Sequence, residues 1–256
     1  MRGLSGKSVF LTGAGAGLGK ASALRLAQEG MDVWVSDCNP QALETLLGEA
    51  QALGLQIRGL LADSTSETSI GQAIRTAFEG SGKLDVLVNN AGGSLHTPYS
   101  FAQESDQDWD RVMNLNLMGA VWACRAALPL MQSKGQGRII NYGSKAGSYG
   151  SLIAGPNYAA SKGAITALTR QLAMEYGPAG ITVNCICPGV VLTPRTQQLW
   201  SERRSEAERK QIVAEIPLRR HAREDDIAGV VAFLASDDAA FINGVSLDVN
   251  GGQAMS

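Results

Sequence analysis

The sequence predicts an α/β fold in which a doubly wound parallel sheet of about seven strands carries helices on both faces. Short runs of β-branched and apolar residues alternate with stretches whose apolar residues recur at helical spacing. This alternation is typical of a parallel sheet that helices cover on both sides. The predicted strands are residues 8–11, 32–36, 56–61, 86–89, 138–142, 182–186 and 245–249.

The chain is expected to form a single domain over residues 1–256, because no internal repeat, low-complexity tract or linker divides it. One segment, residues 190–218, interrupts the alternation with a charged and mostly helical stretch after a Pro-Gly turn. An insertion beside the carboxyl ends of parallel strands is placed to cover a site. We interpret this segment as a substrate lid, with a solvated surface helix as the alternative.

The stretch TGAGAGLGK, residues 12–20, follows the first predicted strand and leads into a helix. Such a turn directs free backbone N–H groups and the positive end of a helix at an anion. A P-loop is excluded because Ala14 and Ala21 stand where that motif needs glycine and Ser or Thr. The spacing T-G-x-x-x-G-x-G remains, and it predicts a loop that holds the phosphates of a dinucleotide. We assign cofactor binding here to Gly13, Gly17, Leu18 and Gly19.

Asp37 ends the second predicted strand, about one β-α-β half-unit after the glycine loop. A carboxylate at this point can accept hydrogen bonds from both ribose hydroxyls of adenosine, and it repels a 2′-phosphate. No arginine or lysine at positions 14–16 or 38–39 would neutralise such a phosphate. The sequence therefore favours NAD over NADP.

Composition excludes several partners. The chain has 22 Lys and Arg against 24 Asp and Glu, so no basic field is present to gather nucleic acid or an anionic membrane. Its first residues lack the apolar region of a signal peptide, and no run reaches the length of a membrane span. We expect a cytoplasmic protein that binds a small molecule.

Four cysteines, at 38, 124, 185 and 187, show no metal-ligand spacing. We expect no metal site and interpret all four as buried reduced thiols, with Cys185 and Cys187 on one side of a strand.

Further motifs follow the glycine loop in order: NNAG at 89–92, a serine at 144, YAASK at 158–162 and PG at 188–189. Together with TGAGAGLG, this set resembles the classical short-chain dehydrogenase/reductase family over essentially the whole chain. The resemblance implies a Rossmann-type fold, a nicotinamide cofactor, and hydride transfer at a carbon that bears a hydroxyl group.

Tyr158 and Lys162 are four residues apart in a helical stretch, so their side chains share one face. An ammonium beside a phenol favours the phenolate, and Tyr158 could then take a proton from an alcohol or return it to a ketone. Ser144 supplies a hydroxyl that can hold the substrate oxygen. By resemblance, Asn116 is the fourth member of the catalytic group and links Lys162 to solvent through water.

Other cofactor contacts are implied by the resemblance alone. Asp63 matches the residue that faces adenine, while Asn89 and Gly92 match the loop around the adenosine ribose. The nicotinamide end is assigned to Pro188, Gly189 and Thr193, in addition to Tyr158 and Lys162.

Three residues are candidates for contact with the substrate. Lys145 follows Ser144 directly, and Arg195 follows the Thr193-Pro194 pair, so both could present positive charge to an anionic or strongly polar substrate. Solvated surface residues are the alternative for both. His96, which comes after the NAGG loop, is a candidate for shaping the pocket.

The function predicted from these residues is NAD-dependent interconversion of a secondary alcohol and a ketone. Two alternatives stay open: a 3-oxoacyl-(acyl-carrier-protein) reductase, and a protein that senses a dinucleotide without turnover. The resemblance also implies a homotetramer or homodimer in which the helices around 109–131 and 158–176 pack across subunits.

Overall fold

The computed structural model describes residues 1–151 and 153–255 and confirms a seven-stranded parallel sheet. Neighbouring strands all run parallel, in the spatial order third, second, first, fourth, fifth, sixth, seventh. The strands are β1 (Ser8–Thr12), β2 (Asp32–Asp37), β3 (Ile57–Leu61), β4 (Val86–Asn89), β5 (Gly137–Tyr142), β6 (Ile181–Pro188) and β7 (Ser246–Val249).

Helices connect the strands and cover both faces of the sheet. No helix in the two described ranges combines the length and apolar character needed to cross a bilayer. The α-helices are α1 (Gly17–Gln28), α2 (Pro40–Ala52), α3 (Glu67–Ser81), α4 (Asp106–Met113), α5 (Gly119–Lys134), α6 (Ala146–Tyr149), α7 (Pro156–Tyr176), α8 (Pro194–Arg203), α9 (Glu206–Glu215) and α10 (Glu224–Ala235), and a π-helical turn, Asn114–Met118, joins α4 to α5.

The core has two layers because successive side chains of each strand point to opposite faces. On β1, Val9 and Leu11 pack into the layer under α1, α2 and α10, whereas Phe10 packs into the layer under α3 and α5. All three side chains are fully buried. This double coverage explains why the strands read as continuous apolar runs rather than as alternating ones.

The strand order reverses between β1 and β4, which places a crevice at the carboxyl edge of the sheet. The chain segments that follow β1, β2, β4, β5 and β6 all meet at this edge. The topology therefore brings the glycine loop, Asp37, the NNAG motif, Ser144 and the Pro188-Gly189 turn to one side of the molecule.

Some strands extend beyond their predicted ends. Thr12 pairs with Ser36, and Pro188 pairs with Val249, so β1 and β6 continue through residues that sequence patterns treat as turns. Backbone hydrogen bonds form whatever the side chain is, and Pro188 at the last position contributes only its carbonyl, which accepts from the Lys145 amide at 3.0 Å.

The segment 190–218 forms a pair of short helices, α8 and α9, each with a side-chain cap. Thr193 caps α8 and Ser205 caps α9. At the end of α8, Arg203 donates from Nη1 to the Ile153 carbonyl at 2.6 Å and from Nη2 to the Thr97 carbonyl at 2.8 Å. One side chain thus connects α8 to the two loops that contain Thr97 and Ile153.

The cysteines correct one expectation. Cys185 and Cys187 lie on one side of β6 with their Sγ atoms 3.9 Å apart, and both are buried, as is Cys124. Cys38 is exposed, so its interpretation as a buried thiol was wrong. It follows β2 directly, in the short connection to α2.

We predict that Arg203→Ala loosens α8. The variant removes two hydrogen bonds from a charged donor, each of which contributes about 1.5–3 kcal/mol. Hydrogen–deuterium exchange of the amides in 194–203 should speed up by about tenfold or more. Arg209→Ala is the control, because the hydrogen bond that Arg209 donates to Ser201 Oγ lies within the segment 190–218. Equal exchange rates in the two variants would contradict the proposal that Arg203 holds α8 in place.

Candidate active site

The glycine loop between β1 and α1 is shaped by close backbone contacts. Gly13 has φ +62°, and a Cβ there would lie 2.7 Å from Ala91 Cα. A Cβ at Gly19 would lie 2.5 Å from Asn90 Nδ2 and 2.6 Å from the Gly13 carbonyl oxygen. Only glycine fits at these two positions, and their lack of a side chain lets the loop pack closely against Asn90 and Ala91.

The first turn of α1 fits an anion. Ala16 provides no side-chain cap, and the first turn contains no acidic residue. By contrast, Asn39 caps α2 and Ser66 caps α3. The free N–H groups and the positive end of α1 therefore suit the pyrophosphate of a dinucleotide, with Gly17, Leu18 and Gly19 in the first turn.

Asp37 is held at the end of β2, facing the glycine loop. Its Oδ2 accepts from the Gly15 amide at 2.9 Å, and its Oδ1 accepts from the Asn39 amide at 3.0 Å. Each oxygen retains a lone pair for a ribose hydroxyl. Lys20, the lysine of the loop, forms an ion pair with Glu49 at 2.8 Å and so is engaged elsewhere.

The two asparagines at the end of β4 have different hydrogen-bond partners. The buried side chain of Asn89 donates to Asn141 Oδ1 at 2.9 Å, across the strand pair, rather than pointing into the crevice. Asn90, which sequence reasoning passed over, donates to the carbonyls of Thr12 and Gly13 at 3.1 and 2.6 Å. Thr12 Oγ1 accepts from the Asn90 amide at 3.2 Å. The hydrogen bonds between Asn90 and the Thr12–Gly13 stretch join the glycine loop to the loop after β4.

Two elements converge on Gly92 and Gly93, the π-helical turn and the helix α7. Asn116, in the π-helical turn, accepts from the Gly93 amide at 2.8 Å and donates to the Gly93 carbonyl at 3.0 Å. A Cβ at Gly92 would lie 2.5 Å from Asn116 Oδ1 and 3.2 Å from Lys162 Nζ. The absence of a side chain at Gly92 thus lets Asn116 and Lys162 both approach the same stretch of backbone. A π-helical turn such as the one that carries Asn116 is frequent at functional sites.

Helix α7 carries Tyr158 and Lys162 in its first two turns. Pro156 at the first helical position has the φ that a helix start requires, and the Glu104 carboxylate accepts from the Asn157 amide at 3.3 Å. Lys162 is 4% exposed, and its Nζ donates to the Tyr142 carbonyl at 2.6 Å. A buried ammonium therefore lies 5.8 Å from the centre of the Tyr158 ring.

Burial controls the acidity of both side chains. It raises the pKa of Tyr158, against the opposing effects of a hydrogen bond with Ser144 and the charge of Arg195. Burial also lowers the pKa of Lys162 to about 8. Lys162 directs its proton to a backbone carbonyl, so the groups that favour the phenolate directly are Ser144 and Arg195.

Ser144 lies just beyond β5, where its Oγ accepts from the Ala146 amide at 3.1 Å. Together with Tyr158 it lines a cavity of about 110 Å³, which we call the crevice cavity. Pro188 and Gly189 also line this cavity, and α8 contributes Arg195, Thr196 and Leu199 to the lining.

The three candidate substrate residues separate in the structure. Lys145 and Arg195 line the crevice cavity. His96 does not line it, because Leu95 and His96 both adopt positive φ, +51° and +56°, and turn the His96 side chain out to solvent. His96 thus lies outside the lining of the crevice cavity, and its role in shaping the pocket stays a prediction.

The remaining cofactor candidates lie around the crevice. Thr193 is buried beside the glycine loop, since a Cβ at Gly17 would lie 3.3 Å from Thr193 Cγ2. Asp63 is exposed after β3, and its Oδ1 accepts from the Thr65 amide at 2.8 Å. Over residues 1–151 and 153–255, no three His, Cys, Asp or Glu side chains gather in a way that could hold a metal ion.

Comparison with known proteins agrees with this geometry. A family model described as enoyl-(acyl carrier protein) reductase matches residues 13–254. The 3-oxoacyl-[acyl-carrier-protein] reductase of Thermotoga maritima is 34% identical over 97% of this chain and 98% of its own. The 2-(S)-hydroxypropyl-CoM dehydrogenase 3 of Xanthobacter autotrophicus is 38% identical over 97% of each chain.

Among solved structures, an NAD⁺-bound xylitol dehydrogenase superposes with a TM-score of 0.91 at 34% identity and covers 98% of this chain and 100% of its own. The similarity in sequence and in structure covers nearly the whole chain. It agrees with the ordered motifs that the fold brings to the carboxyl edge of the sheet. The chain belongs to the classical short-chain dehydrogenase/reductase family, whose members are oxidoreductases that bind a nicotinamide dinucleotide.

Proposed function

We propose that the protein is an NAD-dependent oxidoreductase that interconverts a secondary alcohol and a ketone. The observation that carries this proposal is the convergence of Ser144, Tyr158 and Lys162 beside the glycine loop, with Ser144 and Tyr158 open to the crevice cavity. A hydroxyl group bound there contacts a hydrogen-bond donor and a proton acceptor at once.

In this reaction R₂CHOH and NAD⁺ give R₂C=O, NADH and H⁺. NAD⁺, when bound, supplies the hydride acceptor. Ser144 holds the substrate oxygen while Tyr158 takes the hydroxyl proton, and in reduction Tyr158 returns that proton to the ketone oxygen. Asn116 fixes the Gly93 backbone that borders the cavity, and Lys162 keeps a positive charge behind Tyr158.

Proton transfer at neutral pH requires the phenolate of Tyr158 to be stabilised. A shift from the free pKa of about 10 to neutrality corresponds to about 4 kcal/mol. The Ser144 hydrogen bond and the charge of Arg195 already act in this direction, and the positive nicotinamide ring of NAD⁺ would add to them. Lys162, with its pKa lowered to about 8, is still mostly protonated near neutral pH.

The preference for NAD is supported by the position of Asp37. Its carboxylate faces the glycine loop, where its negative charge would disfavour a 2′-phosphate on a bound dinucleotide. Lys20 is paired with Glu49, so the loop offers no free cation of its own to bind that phosphate. We also propose that residues 190–218 form the substrate lid, since α8 covers the crevice cavity.

A 3-oxoacyl-(acyl-carrier-protein) reductase is the second candidate, favoured by the T. maritima relative. Reduction of an acetoacetyl-carrier-protein thioester with NADPH would identify it. A dinucleotide sensor without turnover is disfavoured by the presence of Asn116, Ser144, Tyr158 and Lys162 in one site.

We predict that Tyr158→Phe lowers kcat for secondary alcohols by about 100- to 10,000-fold, because the variant removes the general acid–base group. The measurement is initial NADH formation over a panel of neutral and anionic secondary alcohols. Dissociation constants for NADH should change little, since the phenol ring remains.

Tyr176→Phe is the matched control for that variant, because Tyr176 ends the same helix at its far side. It should retain wild-type rates. Turnover by Tyr158→Phe at the control rate would contradict the proposed mechanism, and no turnover by the wild type on any alcohol would favour the second candidate or the sensor.

For the cofactor, we predict that Asp37→Ser raises the ratio of kcat/KM with NADP⁺ to kcat/KM with NAD⁺ by at least about tenfold. The variant removes the carboxylate that repels a 2′-phosphate, and a tenfold change corresponds to about 1.4 kcal/mol. Glu44→Gln removes a carboxylate from the neighbouring helix α2 and should leave the ratio unchanged. A ratio unaffected by Asp37→Ser would refute the assignment.

We further propose a homotetramer or homodimer. On α7, Met174 is 70% exposed, and Phe241, before β7, is fully exposed. Apolar side chains so exposed favour burial between subunits. Light scattering coupled to size exclusion should report two or four times the chain mass, whereas a monomeric mass would exclude this assembly.

A further inference from the structure

The crevice cavity carries positive charge although the chain as a whole has a net charge of −2. Its described lining includes two cationic side chains, Lys145 and Arg195, and no carboxylate. The buried ammonium of Lys162 lies just behind it. A lining so composed attracts an anion and disfavours a cation.

Arg195 is exposed and makes one hydrogen bond among the described residues. It lies in the first turn of α8, where Nη1 donates to the Gly92 carbonyl at 3.2 Å. The guanidinium lies against Gly93, since a Cβ there would be 2.8 Å from Nη1. A guanidinium has five N–H donors, so a planar fork remains for a two-oxygen acceptor.

The other cation in the lining, Lys145, lies near a carboxylate. Burial lowers the pKa of Lys145, and the nearby Asp248 opposes that effect. Asp248 therefore compensates Lys145 in part, whereas Arg195 has no ion-pair partner among the described residues. Arg195 is consequently the stronger candidate for an anion.

The rest of the cavity is partly apolar. Ile153, Val191 and Leu199 supply carbon contacts beside the polar groups of the lining. A substrate that fits must combine a hydroxyl near Tyr158, a short carbon frame and a negative group near α8.

We propose that the substrate is a small secondary alcohol bearing a carboxylate or sulfonate, and that Arg195 binds this anionic group. The inference rests on the proposed function and specifies its substrate class. Arg195 is a specificity-determining residue in this scheme, and α8, fixed by Arg203, sets its position.

The reaction balances without another co-reactant. The hydroxy acid loses a hydride from its carbinol carbon to NAD⁺ and a proton from its hydroxyl to Tyr158. An oxo acid, NADH and H⁺ are formed, and the anionic group keeps its charge throughout. The bond between Arg195 and that group is therefore present in both directions of the reaction.

The test uses two matched pairs of probes with the full-length protein and NAD⁺. One pair is 3-hydroxybutanoate and its methyl ester; the other is 2-hydroxypropane-1-sulfonate and the corresponding methyl sulfone. For each pair the ratio of kcat/KM, anion to neutral partner, is measured in the wild type, Arg195→Gln, Arg195→Lys and Arg209→Gln.

We expect the wild type to prefer the anionic member of at least one pair, and the pair that shows this identifies the group as carboxylate or sulfonate. Arg195→Gln should lower that ratio by about 10- to 100-fold, the range for a lost hydrogen bond to a charged group. Arg195→Lys should restore part of it. Arg209→Gln, in α9 and outside the lining of the cavity, should retain it.

A wild type that turns over the neutral members equally well, or a ratio unmoved by Arg195→Gln, overturns this inference and leaves the proposed function in place. Absence of turnover on both pairs also overturns it. Absence of turnover on every alcohol tested would in addition overturn the proposed function, so the two failures are distinguishable.

Discussion

The two hydrogen bonds between Asn116 and the backbone of Gly93 are the contact on which the site depends. They join the loop after β4 to the turn between α4 and α5, and the absence of a side chain at Gly92 admits Lys162 to the same place. Asn90 then connects that loop to the glycine loop. Cofactor loop, catalytic helix and cavity wall are thus positioned by one short stretch of backbone.

Below this stretch, a buried polar chain fixes α7 to the sheet. Asn89 donates to Asn141, and Asn141 donates to Thr169 Oγ1 at 2.9 Å. Buried polar groups are costly unless they are paired, so such a chain favours one orientation of the helix over others. The direction of Tyr158 is therefore set partly by residues that never reach the crevice.

The sequence was sufficient for the sheet and the glycine loop, because these follow from periodicity and from motif spacing. Helical spacing also placed Tyr158 and Lys162 on one face, whereas the grouping of Ser144 with them was implied by the resemblance to the family. The sequence could not distinguish Asn89 from Asn90, since only the facing of the last strand residue decides which one enters the core. Two consecutive positive φ angles, at Leu95 and His96, turned a plausible pocket residue outward. The role of Arg203 was not predictable at all, because its partners are carbonyl groups, which every residue possesses.

Because the partners of Arg203 are main-chain carbonyl groups, a substitution at either partner residue leaves the acceptor in place. The bonds from Arg203 end on the main chain of Thr97 and Ile153, while the side chain of Ile153 lines the cavity. Substitution at position 153 can therefore alter the shape of the binding space without removing the bond that closes it. The shape of the cavity and the attachment of α8 can therefore vary independently at this one residue.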